Sequence, residues 1–430
     1  MKIIEGFNNA KTLLSRRASD AAESDIEREK TVRQIVADIR RRGDAAIFDY
    51  TQKFDGVKLD SLEVTQEQVS SAYREVDKEL ITAMELAATR ITDYHEEQKK
   101  MLLHDNVKSK LGWLMRPLER IGTYVPGGMA PLPSSLLMTA IPARVAGVKE
   151  IILATPPQKN GKVSSITLAA AKIAEVDRIF SVGGAQAIAA LAYGTESIPA
   201  VDKVCGPGNI YVTLAKKMVF GTVGIDGLYG PSEVIIIADD SANASYVAAD
   251  LLAQAEHGSA SSILITTSRN VGDTVNLEIE KQLKDLPRRD IIVEALERRG
   301  FIAVVDSMDD AIELANLYAP EHLCLVVKNA ASYIDRVRNA GCLFIGENSI
   351  EALVDYVAGP SHVLPTGGTA RFGSPLNILD FVKLISVVKT DGADLLQLGK
   401  AASVIARAEG LDAHARAVEK RLEDKAQGGS

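Results

Sequence analysis

The chain reads as an α/β protein: two Rossmann-like, incomplete βα domains with parallel-rich sheets, plus an N-terminal arm and a helical C-terminal segment. Three observations predict this. Apolar runs of strand length, such as Glu150-Ile-Ile-Leu-Ala154 and Ser232-Glu-Val-Ile-Ile-Ile-Ala238, alternate with segments of helical period. The alternation appears twice, over 124–232 and again from 233 to 374, which is the rhythm of a parallel sheet covered by helices. Neither block carries Gly-x-Gly-x-x-Gly or a Gly-x-x-x-x-Gly-Lys loop, so the usual nucleotide fingerprint is missing from both.

A length of 430 residues supports two to three domains with substantial cores. Hydrophobic residues make up 46% and charged residues 25%, the ordinary proportions of a globular enzyme. A net charge of −8 argues against nucleic acid or an anionic membrane as partner, since both need a basic surface. No run approaches 18 apolar residues, and Met1-Lys-Ile-Ile-Glu5 has no signal-peptide core, so the expectation is a cytoplasmic protein. The cysteines (Cys205, Cys324, Cys342) are too scattered for a disulfide framework and read as small buried hydrophobes.

Residues 1–24 show little periodicity and are expected as an extended arm. Residues 25–123 and 233–374 are assigned to a main α/β domain, with 124–232 inserted as a second one and 375–430 as the helical end. Val32, Ile35, Val36, Ile39, Ile47, Phe48 and Phe54 recur at helical spacing with a break at Gly43. Thr65-Gln-Glu-Gln68 has the form of a capping box and predicts one long helix through about Met101. His95 and His104, among charged neighbours, are expected on the surface.

The helix predicted over Ala244–His257 stops at Gly258 and places Gln254 and His257 on one face, three residues apart. An amide oxygen and a neutral imidazole aimed together can be half of a metal site; a hydrogen-bonded helix end looks the same. Gly183-Gly-Ala-Gln186 and Cys205-Gly-Pro-Gly-Asn-Ile-Tyr211 offer glycines at strand-to-helix turns, where backbone amides can face a pyrophosphate or simply close a turn. Ser232, in Gly230-Pro-Ser-Glu233, is either a turn hydroxyl or a substrate donor, and its frame is not a nucleophile elbow. Ala319-Pro-Glu-His-Leu323 sets Glu321 beside His322, two bases for two proton transfers or a solvated helix end. His362 lies in a Gly- and Pro-rich loop after Asp355, as a ligand or as a hydrogen bonder that locks the loop. Glu409 and His414 stand five apart near the C-terminus. Gln254, His257, Asp355 and His414 compose two nitrogen and two oxygen donors, a set that suits zinc with positions left for substrate.

Taken in order, several stretches resemble the histidinol dehydrogenase family over essentially the whole chain. They are Tyr-Val-Pro-Gly-Gly (124–128), Val-Gly-Gly-Ala-Gln-Ala-Ile-Ala-Ala-Leu (182–191), Gly-Pro-Gly-Asn-Ile-Tyr-Val (206–212), Gly-Ile-Asp (224–226) and Gly-Pro-Ser-Glu (230–233). Leu-Leu-Ala-Gln-Ala-Glu-His (251–257), Ala-Pro-Glu-His-Leu (319–323), His-Val-Leu-Pro-Thr (362–366) and Ala-Glu-Gly-Leu-Asp-Ala-His (408–414) complete the set. The resemblance implies one zinc per subunit on Gln254, His257, Asp355 and His414, and NAD contacts at Tyr124, Gln186 and Asn209. It implies substrate contacts at Ser232, His322 and Glu409 besides the zinc ligands. The implied reaction is oxidation of L-histidinol through the aldehyde to L-histidine, reducing two NAD and ending histidine biosynthesis. His322 would take the alcohol and hydrate protons and Glu321 would activate water, while zinc holds the substrate's nitrogens. Homodimers are implied, with Glu409 and His414 completing the partner's site. Two positions depart from many members: Gly258, where Asp is common, and Ser361, where Asn is common. The alternatives are a zinc- and NAD-dependent dehydrogenase of a sulfonated diol on the same scaffold, and a zinc hydrolase using Glu321 as base.

Overall fold

The computed structural model describes residues 1–15, 23–127 and 131–426. Two units separate: Met1–Lys99 with Pro117–Phe381, and Lys100–Arg116 with the segment from Val382 onward. The strands are β1 (Lys2–Glu5), β2 (Leu111–Pro117), β3 (Arg120–Tyr124), β4 (Glu150–Thr155), β5 (Arg178–Ser181), β6 (Lys203–Cys205) and β7 (Gly224–Ile225). They continue with β8 (Glu233–Ala238), β9 (Ser261–Thr266), β10 (Phe301–Val304), β11 (His322–Val326), β12 (Cys342–Ile345) and β13 (Val382–Val388).

The first unit holds two parallel sheets, ordered β5-β4-β3-β6-β7 and β1-β10-β9-β8-β11-β12. Numbered from β3 and from β8 respectively, both run 3-2-1-4-5, and β1 adds a sixth strand at the edge of the larger sheet. This is the Rossmann order short of one strand, so the chain contains the two incomplete βα domains expected. The larger sheet is apolar on both faces, as parallel sheets covered by helices must be. Along β8 the alternation divides the core: Val234, Ile236 and Ala238 pack on one side, Ile235 and Ile237 on the other.

Several local expectations shift. The first residues form β1, hydrogen-bonded to β10, rather than an extended arm; residues 16–22 of that stretch lie outside the described residues. The helices Glu23–Arg42 and Asp44–Asp55 put Val32, Ile35, Val36, Ile39, Ala46 and Ile47 into the core of the smaller sheet, not the larger. Thr65 does form a capping box with Gln68, but the helix it opens ends at Glu75, and a second runs Lys78–Leu102. His95 is fully buried, its Nδ1 donating to the Ile91 carbonyl at 2.8 Å, because the helix turns that face into the core; His104 is exposed. The helix expected over Ala331–Asn339 is a 3-10 segment, Ala330–Arg336.

The second unit pairs β13 with β2 and packs the helix Gly392–Ala408 against Asp412–Ala426. The end expected as helical from 375 therefore also carries a strand, β13, which follows a 3-10 turn at Ile378–Phe381. Asp391 caps the first of these helices, and Lys110 ion-pairs with Asp391 and Asp394 at 2.8 Å each. The final Gly-Gly-Ser lies outside the described residues.

Candidate active site and dinucleotide cleft

The larger sheet presents its chemistry at the amino ends of its strands. The helix Met308–Tyr318 ends on Ala319, whose left-handed φ of 53° turns the chain through Pro320 so that Glu321 and His322 start β11. Ser232 precedes β8, and His257 lies in the turn between the helix Ala244–Ala255 and β9. The short helix Glu351–Tyr356 supplies Glu351 and Asp355. Ser232, His257, Glu321, His322, Glu351, Asp355 and His362 line one cavity of about 210 Å³.

Within it, the Glu321 carboxylate accepts from the Glu233 backbone N–H at 2.8 Å. His322 Nδ1 stands 3.4 Å from Glu351 Oε1 and 3.8 Å from Glu321 Oε2, and its Nε2 stands 3.8 Å from Asp355 Oδ1. Both imidazole nitrogens of His322 lack a hydrogen-bond partner although the side chain is buried. Burial pushes His322 down to about 3, so its imidazole is neutral and basic nitrogen is available. Burial, and then the neighbouring carboxylates, raise Glu321 and Glu351 well above the usual range, and burial raises Asp355 to about 6. His362 is the loop-locking hydrogen bonder: its Nδ1 donates to the Asp355 carbonyl at 2.7 Å, and Nε2 accepts from Ser135 at 3.3 Å.

Two buried carboxyls, Glu321 and Glu351, and the partly exposed Asp355 face this cavity, and none of its lining residues is Lys or Arg. Gln254 is fully buried one helix turn before His257, and both its amide atoms lack protein partners. An orphaned amide of that kind costs about 1–3 kcal/mol unless something binds it. His257 is itself exposed, and partial desolvation there holds it below its usual value, favouring the neutral form that binds metal. These residues therefore fit a divalent cation. Among the described residues no three His, Cys, Asp or Glu side chains converge on one metal position. Glu409 ends the helix Gly392–Ala408, and His414 lies on Asp412–Ala426; both are exposed on the second unit.

The smaller sheet presents its chemistry at the opposite, carboxyl ends. Tyr124 closes β3, and its buried hydroxyl accepts from the Gly184 N–H at 3.1 Å; burial lifts it to about 12, so it stays a donor. Gln186 is buried in the first turn of the helix Gly184–Tyr193 after β5. Asn209 caps the helix Ile210–Val219 by accepting from the Tyr211 and Val212 N–H groups, which leaves its amide nitrogen to donate. All three line a cleft of about 590 Å³, the size of a nucleotide site. The cleft opens beside the β3/β6 switch point, where α/β sheets bind dinucleotides, so the residues present fit NAD. Of the quoted motif 124–128, Gly128 lies outside the described residues.

One buried ion pair fixes the loop between cleft and cavity. Lys216 Nζ bonds Asp226 and donates to the Gly206 carbonyl at 3.0 Å, while Asp226 accepts from the Gly206 N–H at 2.6 Å. Gly206 has φ 107°, and a Cβ there would stand 2.1 Å from the Tyr124 carbonyl oxygen, so only glycine lets β3 and β6 end so close together. The loop's Pro207 lines the cavity and its Asn209 the cleft.

Glu351 is a cavity-lining carboxyl that the sequence reading did not single out. Glu351 sits four before Asp355, one helical turn away, which is the signal that could have found it.

Comparison with known proteins agrees with this geometry. The chain matches the histidinol dehydrogenase family over residues 17–422. It is 56% identical to histidinol dehydrogenase of Dehalococcoides mccartyi strain CBDB1, over 98% of this chain and 100% of that one. It is 49% identical to histidinol dehydrogenase of Deinococcus radiodurans, again over 98% and 100%. The crystal structure of histidinol dehydrogenase from Elizabethkingia anophelis superposes with a TM-score of 0.92 at 38% identity, covering 99% of this chain and 98% of that one. With a family match over most of the chain and whole-length relatives in both sequence and structure, the chain belongs to the histidinol dehydrogenase family.

Proposed function

We propose that the protein oxidises L-histidinol through L-histidinaldehyde to L-histidine, the closing steps of histidine biosynthesis, with NAD as hydride acceptor and zinc holding the substrate. The observation that carries this reading is the pairing of a dinucleotide-sized cleft with an adjoining cavity that holds a neutral buried His322 beside Glu321. A hydrolase has no use for the cleft. A sulfonated diol would bring its anion to a cavity of buried carboxyls without a lining Lys or Arg, whereas histidinol brings an ammonium and an imidazole.

With Glu351 Oε1 standing 3.4 Å from His322 Nδ1, a proton on Nδ1 would face a carboxyl and Nε2 would be left to accept. Nε2 takes the alcohol proton as hydride leaves the carbon, giving the aldehyde. Glu321 then takes a proton from the water that adds to the aldehyde carbon. The second oxidation repeats the first: His322 takes a hydrate hydroxyl proton, hydride leaves, and the carboxylate is product. Gln254, His257 and Asp355, with His414 of a second copy, would hold zinc, whose chemistry is to bind the substrate's amino and imidazole nitrogens and so fix the reacting carbon. Ser232, and Glu409 of a second copy, would complete the substrate contacts. A homodimer suits the second unit, where Leu384, Val388, Leu396, Val404 and Ile405 are exposed apolar side chains.

The test is NADH absorbance with L-histidinol, before and after chelation. Two NADH per histidinol, lost on chelation and restored by zinc, is the expected outcome. No NADH at any histidinol concentration overturns the reading.

A further inference from the structure

In dinucleotide-binding βα folds an acidic side chain about 20 residues beyond the glycine turn accepts from the adenosine ribose. Here the second strand of the smaller sheet, β4, ends at Thr155 and runs into Pro156-Pro-Gln158, with no acid. An acid nevertheless stands in the cleft, delivered from outside the sheet. Asp55 is the last residue of the helix Asp44–Asp55 and lines the cleft with Tyr124, Gln186 and Asn209. Its Oδ2 is buried and has no hydrogen-bond partner.

This placement is costly to the fold. A helix C-terminus repels a carboxylate, and a buried acceptor without a donor loses its hydration with no return. Burial raises Asp55 to about 6, in keeping with a carboxylate that no protein donor or cation attends. A ligand hydroxyl would supply the missing donor.

The half of the dinucleotide that reaches Asp55 follows from the two linings. Nicotinamide must enter the cavity of Glu321 and His322, and no residue lines both that cavity and the cleft. The cleft therefore takes the adenosine half. Phe54 beside Asp55 is 50% exposed and stacked on Tyr50 at 5.6 Å, leaving a flat face for a base next to the ribose. None of the residues lining the cleft is Lys or Arg, so a ribose 2′-phosphate would meet a carboxylate and no lining cation.

We propose that Asp55 is the residue that selects NAD over its 2′-phosphorylated form, its carboxylate accepting from the adenosine ribose 2′-hydroxyl. This assignment rests on the NAD reading above.

Calorimetric titration without substrate tests it, using NAD, NADP and 2′-deoxyadenosine NAD against the wild type, Asp55→Asn and Asp55→Ser. The wild type is expected to bind NAD about 100-fold more tightly than NADP, and both variants to narrow that ratio by about tenfold or more. Loss of the 2′-hydroxyl should weaken binding to the wild type about tenfold and to Asp55→Asn hardly at all. Thermal unfolding controls for folding, and Asp55→Asn, which removes a poorly placed charge, should not lower the midpoint. An unchanged NAD-to-NADP ratio in folded variants, or an equal 2′-deoxy penalty in wild type and Asp55→Asn, overturns this assignment alone. No binding of either nucleotide by any form overturns the cofactor reading, and this assignment with it.

Discussion

The two sheets of the first unit share a strand order and use opposite ends of it. In the smaller sheet the ligand-facing groups end or follow strands: Tyr124 closes β3, Gln186 follows β5 and Asn209 follows β6. In the larger sheet they precede or open strands: Ser232 before β8, His257 before β9, Glu321 and His322 at the start of β11. The difference is one of chemistry. A dinucleotide is held by backbone N–H groups and helix starts, which βα units present only beyond the carboxyl ends of their strands. Proton transfer needs side chains alone, so the larger sheet can use the edge that faces the other sheet's loops. Leu132, Ser134 and Ser135 at the start of the helix Pro133–Ala146, and Pro207 of the loop after β6, line the same cavity as Glu321 and His322. On the function proposed above, the repeated topology supplies two half-sites of different kinds.

The largest expected effect breaks this division if it fails. His322→Asn should lower kcat about 10³-fold for both histidinol and histidinaldehyde, with NAD affinity by calorimetry unchanged. A parallel fall in NAD affinity would show that the two edges are not separate in function.

Glu321→Gln comes next. Aldehyde oxidation should fall about 10²-fold and alcohol oxidation less than tenfold. Glu321 must be ionised to take a proton, and its ionisation is displaced upward, so wild-type aldehyde oxidation should rise with pH and the variant should lose that limb. His322, held near 3, stays neutral above that value and adds no limb between pH 5 and 8. Equal losses on both substrates would contradict the separate roles.

The smallest effect sharpens the contrast from the cofactor side. Gln186→Ala should weaken NAD binding about fivefold, roughly one hydrogen bond, with kcat within about twofold at saturating NAD. A kcat loss larger than the binding loss would give the carboxyl edge a part in chemistry.

Much of this was legible in the sequence where burial leaves a strong pattern. β4, β5 and β8 to β12 coincide with apolar runs because parallel strands covered on both faces are apolar throughout. β6 and β7, with three residues and two, are too short to show a period, and β1 and β13 carry polar residues at alternate or exposed positions. His95 misled because its charged sequence neighbours face solvent while its own face turns inward. Of the residues that motifs singled out, the structure gathers Ser232, His257, Glu321, His322 and Asp355 at one cavity. Asp55 was not legible, because a helix-ending acid signals nothing until the fold brings it beside Tyr124.

The pairing of β1 has a consequence for how the chain is made. Lys2 to Glu5 lie in register with Phe301 to Val304, at the far edge from β12. On the ribosome β1 emerges long before its partner, so it must wait unpaired while the helices Glu23–Arg42 and Asp44–Asp55 and the whole smaller sheet are synthesised. The larger sheet cannot close at that edge until β10 appears. Strand pairing over such a separation is slow, which makes capture of β1 a late event in folding. An early strand with a late partner thus makes the pairing of Lys2–Glu5 depend on the synthesis of Phe301–Val304.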